Sequence, residues 1–135
     1  MKHVMLTCAL FAAFASSRMT AQSADLTATV PFNFRVGSTT MPAGNYIIHE
    51  SQGILRVNQV GGNRATLVLT LPASRSSAPS TGVLEFRRYG DTYFLSSVWG
   101  PQSKEGAALG KSSQEKEIAK RFSHDGVQTA ALRTK

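Results

Sequence analysis

The sequence predicts an all-β protein, in which an antiparallel meander of about six strands forms a small barrel or sandwich and one short helix lies near the C-terminus. Three observations support this fold class. Apolar and polar residues alternate with a period of two over short runs, which is typical of half-buried strands. Glycine-containing turns separate consecutive runs. A capping sequence marks the start of a helix after the last strand.

The N-terminus resembles a secretory signal peptide. A short basic start, Met1 to His3, precedes an uncharged apolar run from Val4 to Ala15, which is the arrangement of an export signal. That run has about half the length of a membrane-spanning helix, so we expect no transmembrane segment in the mature chain. The triplet Ala21-Gln22-Ser23 predicts cleavage before Ala24, with Met19-Thr20-Ala21 as the rival site. We therefore expect an exported protein, periplasmic or extracellular.

Removal of the leader, residues 1–23, leaves one small domain. About 112 residues are enough for one core and too few for two, and we assign residues 24–122 to a single β domain with a C-terminal helix. The only cysteine, Cys8, is lost with the leader, which excludes disulfides and thiolate chemistry in the mature chain. The full chain has 15 basic and 8 acidic residues; loss of Lys2 and Arg18 leaves 13 and 8, a net charge of +5.

The basic residues are scattered along the mature sequence. Because they do not cluster between stacking aromatic side chains, we do not expect a nucleic-acid partner. A moderately basic surface is compatible with weak attraction to anionic surfaces such as lipid headgroups or acidic polysaccharide. A protein or cell-surface partner also remains open.

The first predicted strand contains a proline. The side chains of Val30, Phe32, Phe34 and Val36 share one of its faces. Because Pro31 has no amide hydrogen to donate, we expect this strand to lie at a sheet edge or to begin irregularly. Five further strand candidates follow the same alternation: Tyr46 to Glu50, Ile54 to Val60, Ala65 to Leu71, Val83 to Tyr89 and Thr92 to Trp99.

The sequence Met41-Pro42-Ala43-Gly44 predicts the first sharp corner. Proline in second place and glycine in fourth place suit a type I turn, since proline presets φ near −65°. We expect Gly44 to end the turn or to adopt a positive φ. Phe32, Phe34 and Tyr46 then face inward on either side of the corner.

Two other glycine-containing sequences, Gly61-Gly62-Asn63 and Gly90-Asp91, predict hairpin turns that require positive φ. Strands that are neighbours in the sequence should then be neighbours in the sheet. We expect the large side chains of one face to fill the interior. The predicted core residues are Phe32, Phe34, Tyr46, Leu67, Leu69, Phe86 and Trp99.

Three segments lie outside this strand pattern. Residues Pro72 to Gly82 form a polar stretch with no apolar anchor, which predicts either a tolerated surface loop or a binding lid. Gly100-Pro101 ends the last strand, and Gln102 to Lys111 is interpreted as loop. Residues 123–135 have little apolar content and are expected to form a flexible tail.

A short helix is predicted between these last two segments. Ser112 and Glu115 match a capping box, and the helix should end at about Phe122. Ile118 and Phe122 form a narrow apolar stripe, and Glu117 and Arg121 a favourable pair. A helix of this length is marginal alone, so we expect it to pack on the sheet or to close one end of a barrel.

The motifs PFNFRVG, MPAGNY and RYGDTYFLSSVW, followed by a Ser-rich helix start with Glu, together resemble a pattern in short exported bacterial proteins of uncharacterised function. The resemblance covers roughly residues 28 to 121. It implies a shared fold and no particular activity, because the motifs consist mainly of turn and core residues. The Pro-Ala-Gly-x-Tyr corner has a weaker likeness to turns in immunoglobulin-like and transthyretin-like sandwiches.

The residues that could carry chemistry are few. His49 and His124 are the histidines of the mature chain, and no spaced His/Asp/Glu cluster suits a metal site. Glu50 and Glu85 could pair as glycosidase carboxylates, but each falls at an outward strand position or strand end, where a solvated charge is expected. No Gly-x-Ser-x-Gly elbow or phosphate loop is present. We predict no catalytic, cofactor-binding or metal site.

The sequence therefore predicts an exported non-enzymatic protein that acts as an envelope or extracellular interaction module. A carrier of a small apolar ligand in the barrel interior is the alternative, and a hydrolytic enzyme is the least favoured hypothesis. The packing of the interior distinguishes the interaction module from the carrier. A core filled by side chains excludes a carrier and is compatible with an interaction module.

Overall fold

The computed structural model describes residues 25–122 and 128–134. These residues form two packed, largely antiparallel sheets and one short helix, so the all-β class and the C-terminal helix are confirmed. The sheets are arranged as a sandwich and do not close into a barrel. The predicted leader and its cleavage site lie outside the described residues. The elements are β1 (Leu26–Val30), β2 (Phe34–Val36), β3 (Thr39–Met41), β4 (Gly44–Ser51), β5 (Ile54–Gln59), β6 (Ala65–Leu69), β7 (Leu71–Ser74), β8 (Val83–Tyr89), β9 (Thr92–Trp99), β10 (Glu105–Ala108), α1 (Ser113–Arg121) and β11 (Gln128–Arg133).

The two sheets differ in their strand order. Sheet A has the strand order β1-β4-β5-β6, and sheet B has the order β11-β8-β9-β10-β7. The small hairpin of β2 and β3 joins sheet B through a parallel bridge between Arg35 and Phe94. Sequence neighbours pair antiparallel at β4-β5-β6 and at β8-β9-β10, as the meander prediction requires.

The core lies between the inner faces of the two sheets. The ring of Phe34 packs edge-on against Tyr46 of sheet A at a centroid distance of 5.1 Å and against Phe86 of sheet B at 5.6 Å. All three are at most 2% exposed, so the prediction that they are core residues is confirmed. Phe32 is only partly buried and packs against the same cluster.

Three of the predicted core residues lie elsewhere. Leu67 and Leu69 are 61% and 77% exposed, because β6 turns Thr66 and Val68 towards the interior instead. Alternation separates the two faces of a strand without saying which one is buried. Trp99 is buried, but it shares a face of β9 with Ser97, opposite the core residue Val98. The tryptophan therefore belongs to a separate cluster on the outer side of sheet B.

The described residues form eleven strands, more than the predicted six or so. The first predicted strand is interrupted at Pro31, which ends β1. The candidate Ala65 to Leu71 divides at Thr70, where the chain passes from sheet A to sheet B. Within the predicted loop Gln102 to Lys111, β10 pairs with both β7 and β9.

Two further segments expected to be irregular are partly ordered by pairing between distant parts of the chain. Pro72 to Ser74 belong to β7, and three backbone hydrogen bonds tie the remainder of the predicted 72–82 loop to its neighbours: Arg75 N to Lys104 O, Gln102 N to Pro79 O and Thr134 N to Gly82 O. The expected flexible tail, 123–135, contains β11, which pairs with β8 along six residues. That part of the tail prediction is wrong, because β11 completes the edge of sheet B.

The corner at Met41 to Gly44 carries the chain from sheet B to sheet A. The side chain of Asn33 accepts a hydrogen bond from the Ala43 amide at 2.9 Å, and the hydroxyl of Tyr46 donates to the carbonyl of Pro42. Burial raises the pKa of the Tyr46 hydroxyl, and Arg64 opposes the shift. Gly44 begins β4 without a positive φ, so of the two expected alternatives it ends the turn, whereas Gly61 and Gly90 have positive φ in their predicted hairpin turns.

The difference in φ between Gly90 and Gly44 gives a stability prediction. Gly90 has φ +59°, and a Cβ there would lie 3.1 Å from Cζ of Phe122. We expect Gly90→Ala to lower the free energy of unfolding by about 1 kcal/mol or more. Gly44→Ala is the matched control, because its Cβ would lie at an ordinary 3.5 Å from Gln59 Nε2. Chemical denaturation compares the two, and equal losses would contradict the assigned backbone conformations.

The helix α1 packs on the outer side of sheet B. Ser112 caps it by accepting a hydrogen bond from the Glu115 amide at 3.1 Å, which confirms the predicted N-terminus. Phe122, at its C-terminal end, contacts the ring of Tyr89 at 6.4 Å between centroids. The ion pair of Glu117 is formed with Lys120 at 3.0 Å, in place of the predicted Arg121.

Candidate functional site

The residues considered for catalysis do not come together. Nδ1 of His49 lies 2.5 Å from Oδ1 of Asp25 at the surface of sheet A, and His124 lies outside the described residues. Glu50 lies on β4 of sheet A, where it accepts a hydrogen bond from the Gly53 amide at 3.1 Å. Glu85 lies on β8 of sheet B, 3.4 Å from Arg75. The two carboxylates therefore belong to separate environments.

Within residues 25–122 and 128–134, no group of three or more His, Cys, Asp or Glu side chains is placed to hold a metal ion. The same residues contain no helix that combines the length and apolar character needed to cross a membrane.

Glu85 and Trp99 take part in a polar network on the outer face of sheet B. The guanidinium of Arg75 lies over the Trp99 ring, 4.7 Å from its centroid, and pairs with Glu85. The indole Nε1 of Trp99 donates to Ser97 Oγ at 3.0 Å, and Ser97 Oγ in turn donates to Glu85 at 3.2 Å. These contacts hold the side chain of Arg75, at the start of the 75–82 loop, against the outer face of sheet B.

Three exposed apolar side chains of the described residues lie together at one edge of sheet A. We call this surface the apolar edge and define it by Ile54, Leu67 and Leu69, which are 45%, 61% and 77% exposed. Ile54 pairs directly with Leu69 on the neighbouring strand. The apolar edge is therefore one contiguous strip.

Strand β6 is the last strand of sheet A. Its hydrogen bonds to β5 show which of its backbone N–H and C=O groups point towards β5 and which point away from it. The Thr70 amide donates to the Gly53 carbonyl at 2.8 Å, and the Gln59 amide donates to the Arg64 carbonyl at 2.8 Å. Because an antiparallel ladder alternates, Thr66 and Val68 also bond to β5. The amides and carbonyls of Leu67 and Leu69 therefore point towards the open side of the edge.

The charges around the apolar edge are positive. Arg56, an exposed residue of β5, pairs with Leu67, and exposed Arg64 immediately precedes β6. Neither β5 nor β6 contains an acidic residue. An extended chain lying beside β6 would thus meet apolar side chains flanked by arginines.

A second feature is a cleft of about 470 Å³ at one end of the sandwich. It opens between β4 of sheet A and the strands β9 and β10 of sheet B. Its floor consists of the core side chains Leu26, Ile48, Val98 and Ala107, and its polar rim includes Glu50, Thr70, Ser103 and Glu105.

The sequence predictions missed both features. The apolar edge comes from the strand in which Leu67 and Leu69 were assigned to the interior; the available signal was that the alternate residues, Thr66, Val68 and Thr70, are all β-branched and suit a packed sheet surface. The cleft joins residues from both sheets that are distant in the sequence, and no local pattern indicates it. No family model, curated protein or solved structure in the comparisons matches the chain.

Proposed function

We propose that the protein is an exported, non-enzymatic interaction module that binds an extended segment of a partner protein along β6. The observation that carries this proposal is the coincidence of exposed Leu67 and Leu69 side chains with outward-pointing backbone groups on an edge strand. An added strand gains main-chain hydrogen bonds from such an edge, and the alternate side chains supply selectivity.

The edge strands β1, β7 and β11 are less suited to this role. Strand β1 presents exposed Thr27 and Thr29, β7 contains Pro72, and β11 ends with the exposed Arg133. Charges and prolines at edges discourage strand addition. Strand β6 has neither, and its solvent-facing side chains at positions 67 and 69 are apolar.

The charges indicate the kind of partner segment. Arg56 and Arg64 flank the apolar edge, and the whole chain has a net charge of +7. Electrostatic complementarity therefore favours a segment that alternates apolar residues with acidic ones. A second copy of this chain would add further arginines to the same interface, which disfavours self-association.

Three blocked peptides test the proposal: Val-Glu-Val-Thr-Val-Glu-Val and its counterparts with Lys or Ser in place of Glu. We expect the glutamate peptide to bind most tightly and the lysine peptide least, because the arginines attract carboxylates. Amide NMR spectra of the labelled protein should show the largest shifts at Leu67 and Leu69. The double variant Leu67→Ser/Leu69→Ser should lose most of this binding.

Ile47→Ser is the matched control. Ile47 is 38% exposed on the same outer face, but it lies on the central strand β4, so this variant should bind the glutamate peptide like the parent. Equal binding of all three peptides, or shifts centred on β1 or β11, would refute the proposal. A concentration-dependent dimer that the double serine variant abolishes would identify the edge as a self-association surface instead.

A further inference from the structure

The cleft at the end of the sandwich has the dimensions and composition of a small-molecule site. Its volume of about 470 Å³ lies within the range of ligand pockets, roughly 300–1,000 Å³. The side chains of its floor belong to the buried core: Leu26, Ile48, Val98 and Ala107 are at most 8% exposed. A ligand entering the cleft would therefore contact apolar surface continuous with the interior.

Glycines contribute backbone to the lining of this cleft. Gly53, Gly100 and Gly106 line it; a Cβ at Gly106 would meet the Trp99 ring, whereas Gly53 and Gly100 contribute no side chain to fill the cleft. Gly53 has φ +77° in the turn between β4 and β5, a conformation that favours glycine. By contrast, the region between the sheets is packed by Phe34, Tyr46 and Phe86, so a ligand has room at this end rather than in the centre.

The charge of the cleft is opposite to that of the protein. Its two charged lining residues are Glu50 and Glu105, and no lysine, arginine or histidine lines it, although basic residues outnumber acidic ones in the chain by 15 to 8. Among the described residues, Glu85, Glu115 and Glu117 each form an ion pair with a lysine or arginine, whereas Glu50 and Glu105 do not. The cleft thus combines an apolar floor with two carboxylates that a cation can neutralise.

We propose that this cleft binds a small primary ammonium ion with a hydrocarbon body, the body lying on the apolar floor and the ammonium group at the rim between Glu50 and Glu105. An ammonium group donates three hydrogen bonds, and charge-assisted bonds to carboxylates are stronger than neutral ones. The hydroxyl groups of Thr70 and Ser103 are further acceptors at the rim. This site is independent of the apolar edge.

The test uses a matched series of probes, phenylbutylammonium, phenylbutanol and phenylbutanoate, titrated into the labelled protein. We expect the ammonium probe to shift the amide signals of Gly53, Gly100 and Gly106 while leaving Gly61 and Gly110 unchanged. The neutral alcohol should bind about tenfold more weakly, as the loss of one charge-assisted interaction requires. The carboxylate should not bind detectably.

Glu50→Gln/Glu105→Gln should abolish the preference for the ammonium probe over the alcohol, because glutamine keeps the size and the acceptor oxygen that bonds the Gly53 amide. Glu117→Gln, on the exposed face of α1, is the control for loss of a carboxylate outside the cleft and should bind like the parent. Leu67→Ser/Leu69→Ser should also bind the probe normally, which separates this site from the proposed partner surface.

Several outcomes would overturn the inference. Equal affinity for the alcohol would leave a purely apolar cleft, and tighter binding of the carboxylate would reverse the charge assignment. Unshifted cleft glycines, or an equal loss of binding in Glu117→Gln, would place the probe elsewhere. Binding of blocked lysine, which has the same ammonium group on a polar backbone, as tightly as phenylbutylammonium would show that the floor contributes nothing.

Discussion

Replacing Phe34 with alanine is expected to lower the free energy of unfolding by about 3–5 kcal/mol. Phe34 is 2% exposed, and its ring meets Tyr46 and Phe86 edge-on from opposite sheets. Removing the ring eliminates buried apolar contacts and leaves a cavity between two sheets that are held apart by the neighbouring aromatic rings. Chemical denaturation followed by circular dichroism measures the loss.

Leu69→Ala is the comparison that makes this result informative. The sequence pattern assigns both residues to the core, but Leu69 is 77% exposed, and a surface substitution of this kind usually changes stability by no more than about 0.5 kcal/mol. Similar losses for Phe34→Ala and Leu69→Ala would mean that β6 faces inward, and would remove the apolar edge along with the proposed partner surface.

The contrast between these two residues shows what alternation predicts. The pattern around Phe34 places a large aromatic residue between polar Asn33 and Arg35, so one face is clearly the buried one. In β6, Leu67 and Leu69 alternate with Thr66 and Val68, and both faces contain apolar groups. Burial then depends on which strands lie beside and beneath β6, and this is a tertiary property.

The strands that the sequence predictions missed are those stabilised by distant partners. Strand β10 has the sequence Glu-Gly-Ala-Ala, which has little intrinsic strand preference, and forms because β9 and β7 flank it. Strand β11 lies against β8, which is far from it in sequence. By contrast, the hairpins at Gly61 and Gly90 and the cap at Ser112 depend on local backbone preferences, so their sequences predict them correctly.

The two candidate surfaces also depend on contacts between distant parts of the chain. The basic residues of the apolar edge and the acidic residues of the cleft are visible in the sequence, but their grouping is not. Glu50 and Glu105 come to line one cleft because β4 ends and β10 begins at the same end of the sandwich. The sequence therefore predicts the β domain correctly, whereas the location of the two candidate surfaces depends on how the strands pair.

The second large effect is expected at the contact that fixes helix α1 to sheet B. Glu115 is 1% exposed, and both of its carboxylate oxygens accept hydrogen bonds from Nε of Arg87, at 2.9 and 3.2 Å. Nη2 of Arg87 also donates to the Leu109 carbonyl at 3.2 Å. Burial raises the pKa of the neighbouring Tyr89 hydroxyl, and the charge of Glu115 acts in the same direction while Arg87 opposes it. The pair thus lies in a desolvated contact between strand β8 and the first turn of the helix.

Arg87→Met should lower the free energy of unfolding by about 3–5 kcal/mol, because it leaves the Glu115 carboxylate buried without its cation. The double variant Arg87→Met/Glu115→Leu should recover most of that loss, since apolar groups of similar volume can replace a buried ion pair at little cost.

Lys120→Met is the control. It breaks the ion pair between Lys120 and Glu117, which are 73% and 69% exposed, and should lower the free energy of unfolding by less than about 1 kcal/mol. Urea denaturation of the three variants decides the matter. A loss in Arg87→Met no larger than in Lys120→Met would show that Glu115 reaches water and that the helix does not depend on this pair for its position on the sheet.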